Sequence, residues 1–595
     1  MTRLDTETPV TSETTDVRSQ RILFRQQVAM RDGVHLCTDV YLPPQTGARP
    51  TVVVRTPYGR HMQILMRLAK SLNNSGCAVV MQDCRGRYQS EGVYALDQEE
   101  PDGIDTLAWI AEQDWCNGKI GLYGTSIAAH PNYFVATSPL PDGVQIRALV
   151  SVMGSVSHHA VIYRGGALLL HWALPWAMMM DRNEMGKTNW SDLPWQEVFA
   201  HLPTATTPES FGVQSPFWPG LVSHPARGHW SDLDATPRLQ KLTVPTLHLT
   251  GWQDFMLGES IAAYREIAAG GAPQKLVVGP WDHRSVFTSL FAKSKDLPTQ
   301  FALVELIARW FERWLGDDEA GSQDAVDEET AAAHNFLRQE NGAILYVQED
   351  GRWLESQAFP LAPEHGREET FFLSSTAGAN SVDGDGELTL ERPSQLGRDL
   401  FRYDPDDPVP TTGGGVWPFP QGGLKPGPAD QSDVEQRHDV LVYTTDKLSQ
   451  DLYVAGPVTV ELWASSSAQD TDFTAKLVDV DVFGVPRIVQ DAILRGRFAD
   501  SPDHEKPRPA HRPHLYEISL HSLVRKFKKG HRLRLEISSS NFPKYDRHLN
   551  VPGPLHLQSR GLVAEQTVHH GGPTASCLKL RVLERQEIEA HELKL

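Results

Sequence analysis

Short β-branched runs alternate with amphipathic stretches along the first 140 residues, and this rhythm predicts the fold class. Residues 24–29 and 34–41 flank Arg31-Asp32-Gly33, a hairpin signal. Val52-Val53-Val54 reads as a buried strand, 61–72 as a helix, and 78–81 as the next strand. An amphipathic helix over 102–113 and a strand over 119–123 continue the series. Strands separated by helices imply right-handed crossovers and a parallel sheet.

The rhythm pauses between about 153 and 241, where Trp, Met, His and Pro are frequent and helical pieces such as 167–180 occur. It resumes with a strand at 244–249, a helix at 259–269, a strand at 275–278 and a helix at 303–315. An insertion between two strand–helix halves predicts a cap over the carboxyl ends of the strands, where open α/β sheets bind ligands. Beyond about residue 329 the pattern changes to many short alternating runs, such as 441–443, 458–463 and 533–537, separated by turns rich in Gly, Pro and Asp. This predicts an all-β sandwich or jelly roll. The expected division is a flexible tail over 1–20, an α/β domain over 21–152 and 242–340, a helical cap over 153–241, and a β domain over 341–595.

Composition narrows the function classes. At 595 residues the chain exceeds one hydrophobic core. A formal net charge of −19 argues against nucleic-acid binding, which needs clustered Lys and Arg. The five scattered cysteines form no C-x-x-C pair and suggest neither a disulfide framework nor zinc. The polar first 20 residues do not read as a secretory signal, and the apolar stretch at 168–180 is interrupted and too short to span a bilayer. A soluble cytoplasmic protein with no membrane partner is the expectation, and a homo-oligomer is compatible with it. The acidic run at Asp470, Asp472, Asp479 and Asp481 lacks calcium-loop spacing, and the His158-His159 and His569-His570 pairs lack metal-ligand spacing, so no metal and no cofactor are expected.

The informative chemistry starts at Gly124-Thr125-Ser126, directly after a strand and before a helix-like segment. A sharp strand-to-helix turn exposes a serine hydroxyl, and small neighbours tolerate its strained backbone. The motif alone is common, and Ala128 stands where a second glycine would complete G-x-S-x-G. Two later strand ends add weight: Gly251-Trp252-Gln253-Asp254 and Gly279-Pro280-Trp281-Asp282-His283. Serine, then acid, then histidine is the chain order of this fold class's triads, each at a strand's carboxyl end. Ser126 is therefore the candidate nucleophile, His283 the base and Asp254 the orienting acid. Asp282 is a rival, but adjacent side chains on an extended segment point apart. The Ile127 N–H and the Tyr58 phenol are candidate oxyanion donors, and Trp252 and Trp281 are candidate pocket walls.

Nearly the whole chain resembles the superfamily of cocaine esterases, α-amino-acid ester hydrolases and X-prolyl dipeptidyl-peptidases. The matching stretches include Arg55-Thr56-Pro57-Tyr58, Asp83-Cys84-Arg85-Gly86, Trp115-Cys116-Asn117-Gly118, the two strand-end motifs, Asp470-Thr471-Asp472-Phe473 and Ser539-Ser540-Asn541-Phe542-Pro543. The resemblance implies an α/β-hydrolase fold with an inserted helical cap and a C-terminal β jelly roll. It carries the roles of nucleophile, acid, base and phenolic oxyanion donor onto Ser126, Asp254, His283 and Tyr58. Ile127 replaces a usual tyrosine, Ala129 a usual glycine, and Gln253 a frequent aromatic, so the pocket is expected to differ from that of cocaine esterase. The expected activity is cleavage of a small-molecule carboxylic ester or amide through an acyl-enzyme on Ser126. An X-prolyl dipeptidyl-peptidase, an α-amino-acid ester hydrolase or acyltransferase, and a non-catalytic binding protein are the alternatives. A peptidase would need carboxylates for an α-ammonium group, and Asp181, Glu184 and Asp192 in the cap are the residues to place.

Overall fold

The computed structural model describes residues 14–17, 20–180, 193–215, 217–292, 303–316, 336–337, 339–361 and 365–593. The valine-rich runs become buried strands. β1 (Thr14–Val17), β2 (Gln20–Ala29) and β3 (His35–Leu42) form an antiparallel edge. β4 (Arg49–Thr56), β5 (Ala78–Asp83), β6 (Cys116–Thr125) and β7 (Gln145–Val152) follow, with α1 (Gln63–Asn74), α2 (Glu99–Ala111) and α3 (His130–Thr137) between them.

After β7 the chain leaves the sheet to build the inserted helical cap. Its parts are α4 (His158–Ile162), a small hairpin of β8 (Tyr163–Arg164) and β9 (Ala167–Leu168), α5 (Leu170–Met180), and the short α6 (Trp195–Ala200), α7 (Thr207–Ser210), α8 (Trp218–Val222) and α9 (Thr236–Leu239). The chain returns to the sheet with β10 (Thr246–Gly251), α10 (Leu257–Ala269), β11 (Gln274–Gly279), α11 (Ser285–Ser289) and α12 (Leu303–Leu315). The sheet ends with β12 (Asn341–Tyr346) and β13 (Trp353–Ser356).

Strand order is β1-β2-β3-β5-β4-β6-β7-β10-β11-β12-β13. Pairing from β5 through β12 is parallel. Helices cover both faces, as an all-parallel stretch requires. α1 and α12 pack on one face around Val52, Val79 and Phe311, while α2, α3 and α10 pack on the other around Val53, Leu122 and Ile267.

Three features differ from the sequence expectation. Residues 14–17 of the expected tail pair with β2 as an added edge strand. The 145–152 segment is a central strand that the pattern reading passed over, because its apolar run abuts the Pro-rich turn at 139–141. The boundary at 341 is also corrected. β12 pairs parallel with β11 and β13 antiparallel with β12, so both extend the first sheet. A short apolar run shows that a strand is buried but not which sheet accepts its hydrogen bonds.

The jelly roll begins after these strands. Eleven strands among the described residues form its sheet system, in which Leu452–Ser466 pairs with both His514–Phe527 and Cys577–Leu583. The C-terminal helix Arg585–His591 turns back toward β13, with Ile588 buried beside Leu354. At the cap hairpin, Gly165 (φ 53°) lies so close to the Ile493 carbonyl that a Cβ would stand 2.1 Å from the oxygen. Glycine here lets the cap dock directly on a jelly-roll backbone. No helix among the described residues is long and apolar enough to cross a membrane.

Candidate active site

Ser126 follows the last residue of β6 and has φ 57°, the left-handed region that a non-glycine residue enters at a cost. A short 3₁₀ turn, Ser126–Ala129, leads from it into α3. The turn is tight enough that a Cβ on Gly124 would lie 2.4 Å from the Ala129 Cα and 2.7 Å from the Ala128 carbonyl oxygen. Glycine at 124 is therefore required by sterics. Ala129 is accommodated because residue 154, across from it, is also glycine: a Cβ there would stand 2.8 Å from the Ala129 methyl.

The strand-end motifs after β10 and β11 converge on this turn. His283 Nε2 is 2.9 Å from Ser126 Oγ, and His283 Nδ1 is 3.0 Å from Asp254 Oδ2. The other Asp254 oxygen accepts the Met256 N–H at 2.6 Å, which fixes the carboxylate plane. All three residues are buried, and the Phe255 ring lies 4.8 Å from the imidazole. Asp282 is occupied elsewhere, accepting the Arg284 and Ser285 N–H groups at the start of α11. Gln253 turns outward and donates to Gln348.

Tyr58 follows β4 and is tied down at several points. Its N–H donates to Thr56 Oγ1, its carbonyl accepts the Tyr88 hydroxyl at 2.6 Å, and Arg87 Nε donates to the Pro57 carbonyl at 2.9 Å. Its hydroxyl accepts the Trp176 indole N–H at 3.1 Å, leaving the phenolic proton free to be donated. Burial raises the phenol well above its ordinary pKa, so it keeps that proton. The Ile127 N–H lies in the first turn after the nucleophile, where helical N–H groups lack intrahelical acceptors. The Ile127 side chain is buried in the cap's apolar cluster.

A cavity of about 380 Å³ is bounded by Ser126, His283 and Tyr58. Trp252 and Trp281 do not line it, which corrects their expected role as pocket walls. Trp252 donates its indole N–H to the Tyr346 carbonyl at 2.7 Å and packs with Leu276, Val278 and Phe359. Trp281 belongs to the core cluster beneath the sheet. Proximity to the acid and base in sequence does not set the face to which a side chain projects. The walls come instead from Trp172 and Met179 of α5, Trp417 of an irregular segment before Leu441–Thr444, Leu65 and Leu68 of α1, and Phe287 of α11. Leu65 and Leu68 read in sequence as ordinary core spacing, and nothing in the sequence marks Trp417. Asp181, Glu184 and Asp192 fall outside the described residues.

A mostly parallel sheet with helices on both faces, carrying Ser, Asp and His at its carboxyl rim, defines the α/β-hydrolase class of serine hydrolases. Residues 32–285 match the X-Pro dipeptidyl-peptidase (S15 family) model, and residues 334–579 match the X-Pro dipeptidyl-peptidase C-terminal non-catalytic domain. Cocaine esterase of Rhodococcus sp. (strain MB1 Bresler) is 31% identical over 598 residues, spanning 94% of this chain and 98% of that protein. Among solved structures, an aminopeptidase from the marine sediment archaeon Thaumarchaeota archaeon shares the fold with a TM-score of 0.78 and 21% identity, covering 98% and 100% of the two chains. An α-amino acid ester hydrolase shares it with a TM-score of 0.76 and 23% identity, covering 95% and 97%. The chain belongs to the family that unites cocaine esterase with the S15 X-Pro dipeptidyl-peptidases, and it is a serine hydrolase.

Proposed function

We propose that Ser126, His283 and Asp254 are the catalytic triad of an esterase that cleaves a small carboxylic ester through an acyl-enzyme. The observation that carries this reading is the unbroken relay from Ser126 Oγ through both imidazole nitrogens to Asp254, at 2.9 and 3.0 Å. Ser126 Oγ attacks the carbonyl carbon while His283 Nε2 takes its proton. Asp254 holds the Nδ1 proton and stabilises the imidazolium without accepting that proton. The Ile127 N–H and Tyr58 O–H bind the developing oxyanion. His283 then returns its proton to the leaving alkoxide, the alcohol departs, and water repeats the sequence to free the acid.

An ester fits the cavity better than an aminoacyl-proline peptide. Among its described lining residues none is a carboxylate, whereas holding a free α-ammonium group in so apolar a space requires one. The excess of acidic residues also fits a small-molecule substrate and not a nucleic acid. Release rates from p-nitrophenyl butyrate and alanyl-prolyl-p-nitroanilide test this choice. The ester is expected to turn over with far higher kcat/KM, and a preference for the dipeptidyl anilide would reverse the assignment.

A further inference from the structure

On the cap side the cavity is walled by Trp172 and Met179 of α5 and by Trp417. Ile127, Trp176, Phe255 and Met256 are all buried in one apolar cluster, and the Met256 sulfur lies 4.0 Å from Ser126 Oγ. The cavity is also walled by α1 and α11. Its walls there are Ile64, Leu65, Leu68, Phe287 and Leu290, with Tyr123 also facing it. Leu68, Leu290 and Tyr123 are at most 2% exposed and form its buried part, whereas Met62, 38% exposed, marks the rim. The described lining residues include no Asp, Glu, Lys or Arg.

We propose that this arm between α1 and α11 is the acyl pocket, and that the preferred substrate is an ester of an uncharged aliphatic or arylalkyl acid. The proposal rests on the Ser126 acyl-enzyme reading above. The acyl group stays bonded to Ser126 through both chemical steps, so a buried apolar recess stabilises it throughout. The alcohol must escape and water must enter, which the exposed rim at Met62 serves better than the buried part. A cavity of roughly 150 Å³ holds a benzene ring, so about 380 Å³ holds an acyl chain of about eight carbons together with the reacting ester.

The test is a series of p-nitrophenyl esters from acetate to decanoate, beside a series of alkyl acetates that lengthens the alcohol instead. The expected result is a rise in kcat/KM of about fourfold per acyl methylene, levelling near octanoate. The alkyl acetate series should be nearly flat. Ile64→Trp, which narrows the arm at a half-buried position, should cut the octanoate-to-acetate ratio at least about tenfold. Leu68→Ala, which deepens the buried part, should move the optimum to a longer chain. Should one variant fail to fold, the other still reads the arm.

Acetate turnover with a flat acyl profile overturns the acyl arm and leaves the Ser126 reading standing. So does a length dependence confined to the alcohol series. Absence of turnover on every ester, together with no fluorophosphonate labelling of Ser126, overturns both.

Discussion

Replacing Tyr58 by Phe removes one hydroxyl and nothing else, which makes it the sharpest probe of the oxyanion site. The half-buried phenol lines the cavity, and its oxygen accepts the Trp176 indole N–H at 3.1 Å, which leaves its own proton to donate. Two donors, this O–H and the Ile127 N–H, share the oxyanion in the account above. Losing one such donor from a water-poor site costs about 2.7–4 kcal/mol of transition-state stabilisation, or about 10²–10³ in kcat. KM should change little, because the charge on the carbonyl oxygen develops after binding. The orphaned Trp176 N–H should lower folding stability separately, by about 1 kcal/mol. Steady-state kinetics on p-nitrophenyl butyrate, normalised by active-site titration, separate the two effects. A variant whose kcat stays within about threefold of wild type, about 0.65 kcal/mol, would refute the oxyanion role of Tyr58.

Asp254→Asn keeps the size of the side chain but lets the imidazole settle in the wrong tautomer. It should lower kcat about 10⁴-fold with an unchanged thermal midpoint by circular dichroism. Gly124→Ala forces a methyl to 2.4 Å from the Ala129 Cα and should cost about 1–3 kcal/mol in denaturant unfolding while displacing Ser126 and reducing activity. In the jelly roll, burial and then the neighbouring Glu536 carboxylate push Glu435 up to about 8 from the ordinary 4.5. The folded state therefore keeps a proton that the unfolded chain releases, and stability falls as pH rises across that window. Glu435→Gln should flatten this slope and gain on wild type between about pH 4.5 and pH 8 in thermal melts; an unchanged slope would remove Glu435 as its source.

Much of this architecture is legible in the sequence because local pattern and global fold agree. The Val-rich runs at 51–54 and 78–81 are buried parallel strands, and the helix expected at 303–315 is α12. The strand–turn–helix around Ser126 is readable because steric demands at Gly124 leave a local signature. The meeting of Ser126, Asp254 and His283 follows from their places at strand ends. The pocket walls were not legible. Side-chain direction at Trp252 and Trp281 depends on the path of the chain after each strand, and both turn into the core. Trp417 reaches the cavity from an irregular segment more than 130 residues beyond His283, a contact that only tertiary packing specifies. Strands β12 and β13 illustrate the same limit, since a short apolar run does not say which sheet it joins.

The most direct test of the central claim is peptide mapping of the enzyme quenched in acid during turnover of a p-nitrophenyl ester. The account predicts the acyl mass on the peptide that contains Ser126, with no adduct on Ser126→Ala. An acyl group on another residue, or full turnover by Ser126→Ala, would contradict it.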